Sequence, residues 1–312
     1  LHATPEEAIA ETEQQLETYA NLCENILAMP VIRGQKTDKE KFAGAERTYT
    51  IECMMHDRKA LQAGTSHYFG DGFPTAFDIT FTDKNNQQTH PFETSWGLST
   101  RIIGGIIMTH GDNNGLVLPP RIAPIQVIIL PIAAHKPGVT EAAEQLVERL
   151  KNLGLRAKGD FSDNSPGWKF AEYEMKGVPL RIEIGPKDLE KNQCVAVRRD
   201  NGEKITLSLS ELEAKVPELL DQVHNGLYEK AAKNIADHTY AAYSLEEAKQ
   251  LQEEHGGFIK TMWCGNLQCE LDMKEKAGMT SRCIPFQQEH LSDVCPICGK
   301  KAEKMVYWGV AY

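Results

Sequence analysis

The sequence has no apolar run long enough to cross a bilayer. Its longest, Ile122 to Ala134, is broken by Pro124, Gln126 and Pro131 and falls short of the roughly 20 residues that a spanning helix needs. No secretory leader precedes it, so a cytoplasmic location is expected and a membrane is not an expected partner. An excess of positive charge is also missing: 34 Lys and Arg stand against 44 Asp and Glu, a net charge of -10. So acidic a chain does not coat nucleic acid by bulk attraction, and no DNA partner is expected. Any nucleic-acid site must therefore be local. There is no Walker-type phosphate loop, and "GGIIMTHG" lacks the glycine spacing of a dinucleotide fingerprint. Neither an internal repeat nor a low-complexity tract is visible. The chain opens on Leu1 rather than Met, so a portion of a longer polypeptide is expected.

What is there is enough for more than one core. With 312 residues, 41% of them hydrophobic, two or three domains are expected. In "TPEEAIAETEQQLETYANLCENIL", Thr4 and Glu7 form a capping box around Pro5, and Ile9, Leu16, Tyr19, Ala20 and Cys23 recur at helical spacing. "TYTIEC" and "TAFDITFT" alternate as half-buried strands would, through Tyr49, Ile51, Cys53 and through Phe77, Ile79, Phe81, with "TDKNNQQT" as a hairpin turn. A further strand around "HPFETSW" leads into a helix near Leu98. Beyond it, "APIQVIILPI" reads as a buried strand and Thr140–Leu153 as an amphipathic helix. "RAKGDF", "PLRIEIG" and the Asn-Gly hairpin "CVAVRRDNGEKITL" read as further strands. That order predicts a mixed α/β domain. A long polar helix from near Ser210 and a second capping box, Ser244 to Glu247, precede a cysteine-bearing end.

Four of the eight cysteines fall as Cys264-x4-Cys269 and Cys295-x2-Cys298. Two thiolate pairs supply the four ligands of tetrahedral Zn²⁺, and with every position filled by sulfur the site would be structural, not catalytic. Cys283, between the pairs, is either buried core or a substitute ligand. His110 and Asp112 in "MTHGDNNG" also invite a metal reading, but Gly, Asn and Asp together account for a turn. Neither is placed in a site.

Arg101 poses a sharper question, because it opens an apolar helix. A cation at a helix N-terminus is disfavoured by roughly 0.3 to 1 kcal/mol unless an anion compensates. A surface salt bridge is the plain answer. The surrounding string, "SWGLSTRIIGGIIMTHGDNNGLVLPPRIAPIQVIILPI", closely resembles the third signature motif of class II aminoacyl-tRNA synthetases, in the form found in prolyl-tRNA synthetases. "GQKTDKEKFAGAERTYTIE", "LQAGTSHYFGDGF", "SPGWKFAEYEMKGVPLRIEIGPKDL", "CVAVRRDNGEK" and "WGVAY" resemble further blocks of the archaeal and eukaryotic-like type, in the family's order.

The resemblance implies a fold, an activity and a set of residues. The fold is α/β and α+β multidomain. Residues 1–120 would be part of a class II catalytic domain built on an antiparallel sheet. Residues 121–208 would be a mixed α/β anticodon-binding domain, and 209–312 a small C-terminal α/β zinc-type domain. Arg101 would meet the triphosphate of ATP, with Gln62, Thr65 and Ser99 also on the nucleotide, accompanied by Mg²⁺. Phe42, His67, Ser95 and Gly97 would enclose proline. Tyr312 would approach the active site. Glu174, Arg181, Lys187 and Lys204 would contact the two guanines of proline anticodons. They lie in a stretch, Arg149 to Lys204, where 12 basic residues outnumber 9 acidic ones. Partners would be proline, tRNA(Pro) and a second copy in a homodimer. The chain starts after the second motif of the family, so activity of this chain alone is not expected. Two functions remain in view: the C-terminal portion of a proline–tRNA ligase, or a non-catalytic tRNA-binding or regulatory module derived from one.

Overall fold

A computed structural model describes residues 1–312 and divides them into two compact units. The first comprises 1–25, 29–108 and 232–312; the second comprises 26–28 and 109–231.

The first unit opens with α1, Pro5–Asn21. Thr4 caps it by accepting the Glu7 N–H, which satisfies one orphan donor of the first turn, and Glu7 in turn accepts the Ala3 N–H just ahead of the cap. Its buried stripe, Ala8, Thr12, Leu16, Tyr19 and Ala20, lies on a sheet formed by β1 (Ile32–Gln35), β2 (Arg47–Met54), β3 (Ala60–Gly70) and a later strand. Between them stand the one-turn α2 (Gly72–Ala76) and the two-residue strands β4 (Phe81–Thr82) and β5 (Gln88–Thr89). The later strand is β6, Glu93–Gly97, and α3, Arg101–His110, follows it.

The strand expected through Phe77, Ile79 and Phe81 forms only at its end, as β4. Phe77 and Ile79 are 73% and 40% exposed, because the Phe77 and Ile79 N–H groups bond back to Phe73 and Pro74 and Asp78 takes a positive φ of 54°. The alternation is present in the sequence, but only its Phe81 end meets a neighbouring strand, β5. The hairpin turn does form, with the Asp83 carboxylate accepting the N–H groups of Asn85 and Gln87.

The second unit carries β7 (Val127–Pro131), α4 (Val139–Asn152), β8 (Ala157–Gly159), α5 (Pro166–Met175), β9 (Leu180–Ile184), α6 (Pro186–Glu190), β10 (Gln193–Arg198) and β11 (Lys204–Ser208). Its sheet has the order β11-β10-β9-β7-β8, parallel around β7 and antiparallel beyond β9. β7 is buried on both faces. Val127 and Ile129 pack with Leu146 and Leu150 of α4, while Ile128 and Leu130 meet Tyr173 of α5. That is why "VIILP" reads as a continuous apolar run. Helix α7, Leu212–Asp237, closes the main core through Leu212, Val216 and Leu219.

The last segment contains β12 (Thr239–Ala241), α8 (Leu245–His255), β13 (Phe258–Trp263), α9 (Leu267–Ala277), β14 (Thr280–Pro285) and β15 (Lys304–Gly309). These strands extend the sheet of the N-terminal segment, giving β12-β13-β15-β14-β1-β2-β3-β6. The join is β1 on β14, Gly34 opposite Pro285. A Cβ on Gly34 would lie 2.5 Å from the Ile284 carbonyl and 2.8 Å from the Cys283 sulfur, so only glycine allows the strands to meet there. Cys283 is thus core, fully buried under that join. The fold is mixed α/β, with one large and one smaller mixed sheet.

Candidate functional site

Strand pairing decides which side chains share a face. Thr48, His67 and Ser95 form one cross-strand row of β2, β3 and β6, and Thr50, Thr65 and Gly97 form the next. The opposite face of β3 is taken by α1, where Ser66 donates to the Thr12 carbonyl and Gly64 lies against Tyr19. The register slips by one residue at Ala63, which puts Gln62 opposite Glu52. This bulge returns Gln62 to the Thr65 face. His67 is held by two hydroxyls, Thr48 at Nδ1 (3.0 Å) and Thr65 at Nε2 (3.1 Å). Burial lowers its pKa, so the ring is neutral at physiological pH. The exposed Phe42 ring stands 4.8 Å from it, and Phe69 and Phe73 continue the aromatic wall. Phe42, Thr65, His67, Ser95 and Gly97 are therefore brought together. Both imidazole nitrogens are occupied, which suits shaping and positioning better than proton transfer.

Arg101 lies four residues beyond Gly97 in sequence, at the first position of α3. Its backbone N–H reaches the Ser99 hydroxyl at 3.3 Å, while its exposed side chain pairs with no carboxylate of the chain. It lines a cavity of about 460 Å³ with Gly104, Leu61 and Tyr312. The His67 row does not line that cavity. The Tyr312 hydroxyl bonds to Asp57, and the Lys59 ammonium lies 5.1 Å from the centre of the same ring.

In the second unit a cavity of about 560 Å³ is lined by Glu174, Arg181 and Lys204, together with Phe170, Arg199 and Asn114. Arg181 stacks its guanidinium 4.1 Å over Phe170 and pairs with Glu183 at 2.9 Å. Lys187 is exposed on α6 and does not line this cavity. Sequence reading missed Phe170, Asn114 and Arg199. Arg199 is nearly buried and grips Asp112, 87 positions away, through two bonds of 2.7 Å. No local pattern announces such a pair.

The four cysteines converge at the ends of β13 and α9. Their sulfurs lie within 4.8 Å of one another, with Cys264 3.7 Å from Cys269 and 3.6 Å from Cys298. A tetrahedron with Zn–S bonds of about 2.3 Å has edges of about 3.8 Å, so the thiols fit Zn²⁺. The Lys300 N–H holds the Cys298 thiol down at about 7, whereas desolvation raises Cys264 and Cys269. Four crowded thiolates need a cation between them.

Comparison with known proteins matches two stretches of the chain to families. The family described as "Anticodon binding domain" matches residues 126–219, and "Prolyl-tRNA synthetase, C-terminal" matches 245–312. Proline–tRNA ligase of Clostridium novyi (strain NT) is 59% identical over 311 residues. That of Clostridium botulinum (strain Langeland / NCTC 10281 / Type F) is 58% identical, and proline–tRNA ligase 2 of Bacillus thuringiensis (strain Al Hakam) 56%, each over 312 residues. All three alignments cover 100% of this chain and 65% of the relative. Aligned along its whole length with the C-terminal part of these relatives, the chain belongs to the prolyl-tRNA synthetase family.

Proposed function

We propose that the chain works as the C-terminal portion of a cytoplasmic, homodimeric proline–tRNA ligase, which joins proline to tRNA(Pro) at the expense of ATP. The observation that carries this is Arg101: a guanidinium at a helix N-terminus with no counter-charge in the chain is accounted for by an anionic ligand, and a triphosphate supplies one. Phe42, His67, Ser95 and Gly97 enclose proline by shape. Gln62, Thr65 and Ser99 serve the nucleotide. The proline carboxylate attacks the α-phosphate in line, the bond to the β-phosphate breaks and pyrophosphate leaves, giving prolyl-adenylate; the chain contributes position and charge, not proton transfer. Mg²⁺ with ATP supplies further charge neutralisation. The four cysteines hold a structural Zn²⁺.

We further assign 1–120 to the catalytic domain, 121–208 to the anticodon-binding domain and 209–312 to the zinc-type domain. Glu174, Arg181, Lys187 and Lys204 read guanines, the carboxylate accepting from the Watson–Crick edge and the cations donating to O6 and N7. The test is a chimera joining the upstream third of the Clostridium novyi relative to this chain, assayed for proline-dependent ATP–pyrophosphate exchange. Exchange should be measurable and should fall about 10²-fold or more in Arg101→Ala. A chimera that binds tRNA(Pro) but never exchanges would favour the non-catalytic module.

A further inference from the structure

The turn after α3, Gly111 to Gly115, is more than a turn. Gly115 (φ 134°) and Gly177 (φ 69°) let it dock backbone to backbone on the end of α5. A Cβ on Gly115 would lie 2.5 Å from the Met175 carbonyl, and one on Gly177 would lie 2.6 Å from Leu116. Leu116 N–H donates to Met175 at 3.0 Å across this seam. The docking brings a closed ring of hydrogen bonds around Glu174. Arg199 forks onto Asp112 at 2.7 Å twice, and its Nε donates to the Glu174 carbonyl at 2.9 Å. Asp112 accepts the Asn114 N–H at 2.9 Å, and the Asn114 amide donates to Glu174 Oε1 at 3.1 Å. Arg199 holds the Asp112 carboxyl down at about 2, so the ring persists throughout the physiological pH range.

We propose that Asn114, aimed by Asp112 and Arg199, is a positioning residue that fixes the Glu174 carboxylate for guanine and so sets base specificity; this rests on the reading of Glu174 as a guanine acceptor. Among the bases, guanine presents two adjacent N–H donors, N1–H and the 2-amino group, on its Watson–Crick edge. A carboxylate meets both only if its plane is held. Asn114 takes a single lone pair of Oε1, pins that plane and leaves the other lone pair of Oε1, together with Oε2, for the two donors of the base. A freely rotating carboxylate would still repel or attract by charge, but it would not count donors.

The experiment measures binding of the 312-residue chain to a hairpin RNA with a UGG anticodon loop, and to the same RNA with inosine replacing each guanine in turn. Inosine keeps O6, N7 and N1–H but lacks the 2-amino group. The native chain should prefer one guanine over inosine on the order of tenfold. Asn114→Ala should lower that preference to within about twofold without weakening the inosine complex. Asn114→Asp, which sets a second carboxylate against Glu174, should do the same. A purely structural loss would weaken both complexes together and would overturn the inference. Retention of the preference in both Asn114 variants, with its loss in Glu174→Gln, would overturn it too and leave the reading of Glu174 intact. No preference in the native chain, or a preference surviving Glu174→Gln, would remove that reading and the inference with it.

Discussion

Glu52 and Arg282, 230 positions apart, are joined by bonds of 2.7 and 3.0 Å inside the large sheet. Lys36 binds the other oxygen of Glu52 at 2.7 Å, and none of the three side chains is more than 8% exposed. Removing the carboxylate leaves two buried cations unpaired, so Glu52→Gln should cost about 3–5 kcal/mol in urea unfolding. Burial pushes the Glu52 carboxyl up, but Lys36 and Arg282 together outweigh it and its pKa is lowered. The associated stability is therefore present above the ordinary value of 4.5 and is lost as pH falls below it. A cost under about 1 kcal/mol would mean the cluster relaxes by admitting water.

The cysteine cluster should hold one Zn²⁺ per chain by elemental analysis. Chelation should lower the melting temperature and loosen the packing of Trp308, whose indole donates to Thr261 at 2.9 Å in the same core. Cys298→Ser, at the exposed corner, should weaken the metal with less damage to the core than Cys295→Ser, which is fully buried. A chain that retains its melting temperature after complete metal removal would contradict a structural role.

His110 predicts a pH window. Burial, aided by Lys230 and His224, lowers its pKa from 6.5 to about 4, although its hydrogen bond to the Leu27 carbonyl opposes this. The folded pKa lies below the unfolded one, so the unfolded chain binds the proton first. The stability is complete above 6.5 and erodes as pH falls toward 4, by roughly 3 kcal/mol if the shift is fully expressed. His110→Gln should flatten the stability profile over that window by about one proton. An unchanged slope would show that His110 is protonated in the folded protein.

Much of this was legible because it is local. The Thr4 and Ser244 caps, the α4 stripe, the Asn201-Gly202 hairpin and the paired cysteines each announce themselves within a few residues. What was not legible depends on distant partners. Phe77 and Ile79 alternate like a strand, but an extended segment needs a neighbour, and local turns captured their N–H groups. The glycine and small residues of "LQAGTSHYFG" carry no local strand signal, yet the segment is the central strand β3, which pairs on both sides. The union of the first and last segments in one sheet turns on Gly34 against Cys283. Arg101 drew attention by its conflict with the helix dipole, a local signal; Asp112 looked like an ordinary turn residue until Arg199 was beside it.

The most direct measurement is a structure of the chimera with a non-hydrolysable ATP analogue and proline. The Arg101 guanidinium should lie within hydrogen-bonding distance, about 3 Å, of a phosphate oxygen, with proline against Phe42 and His67. A guanidinium turned into bulk water, with the nucleotide bound elsewhere, would contradict an adenylate-forming site at the start of α3.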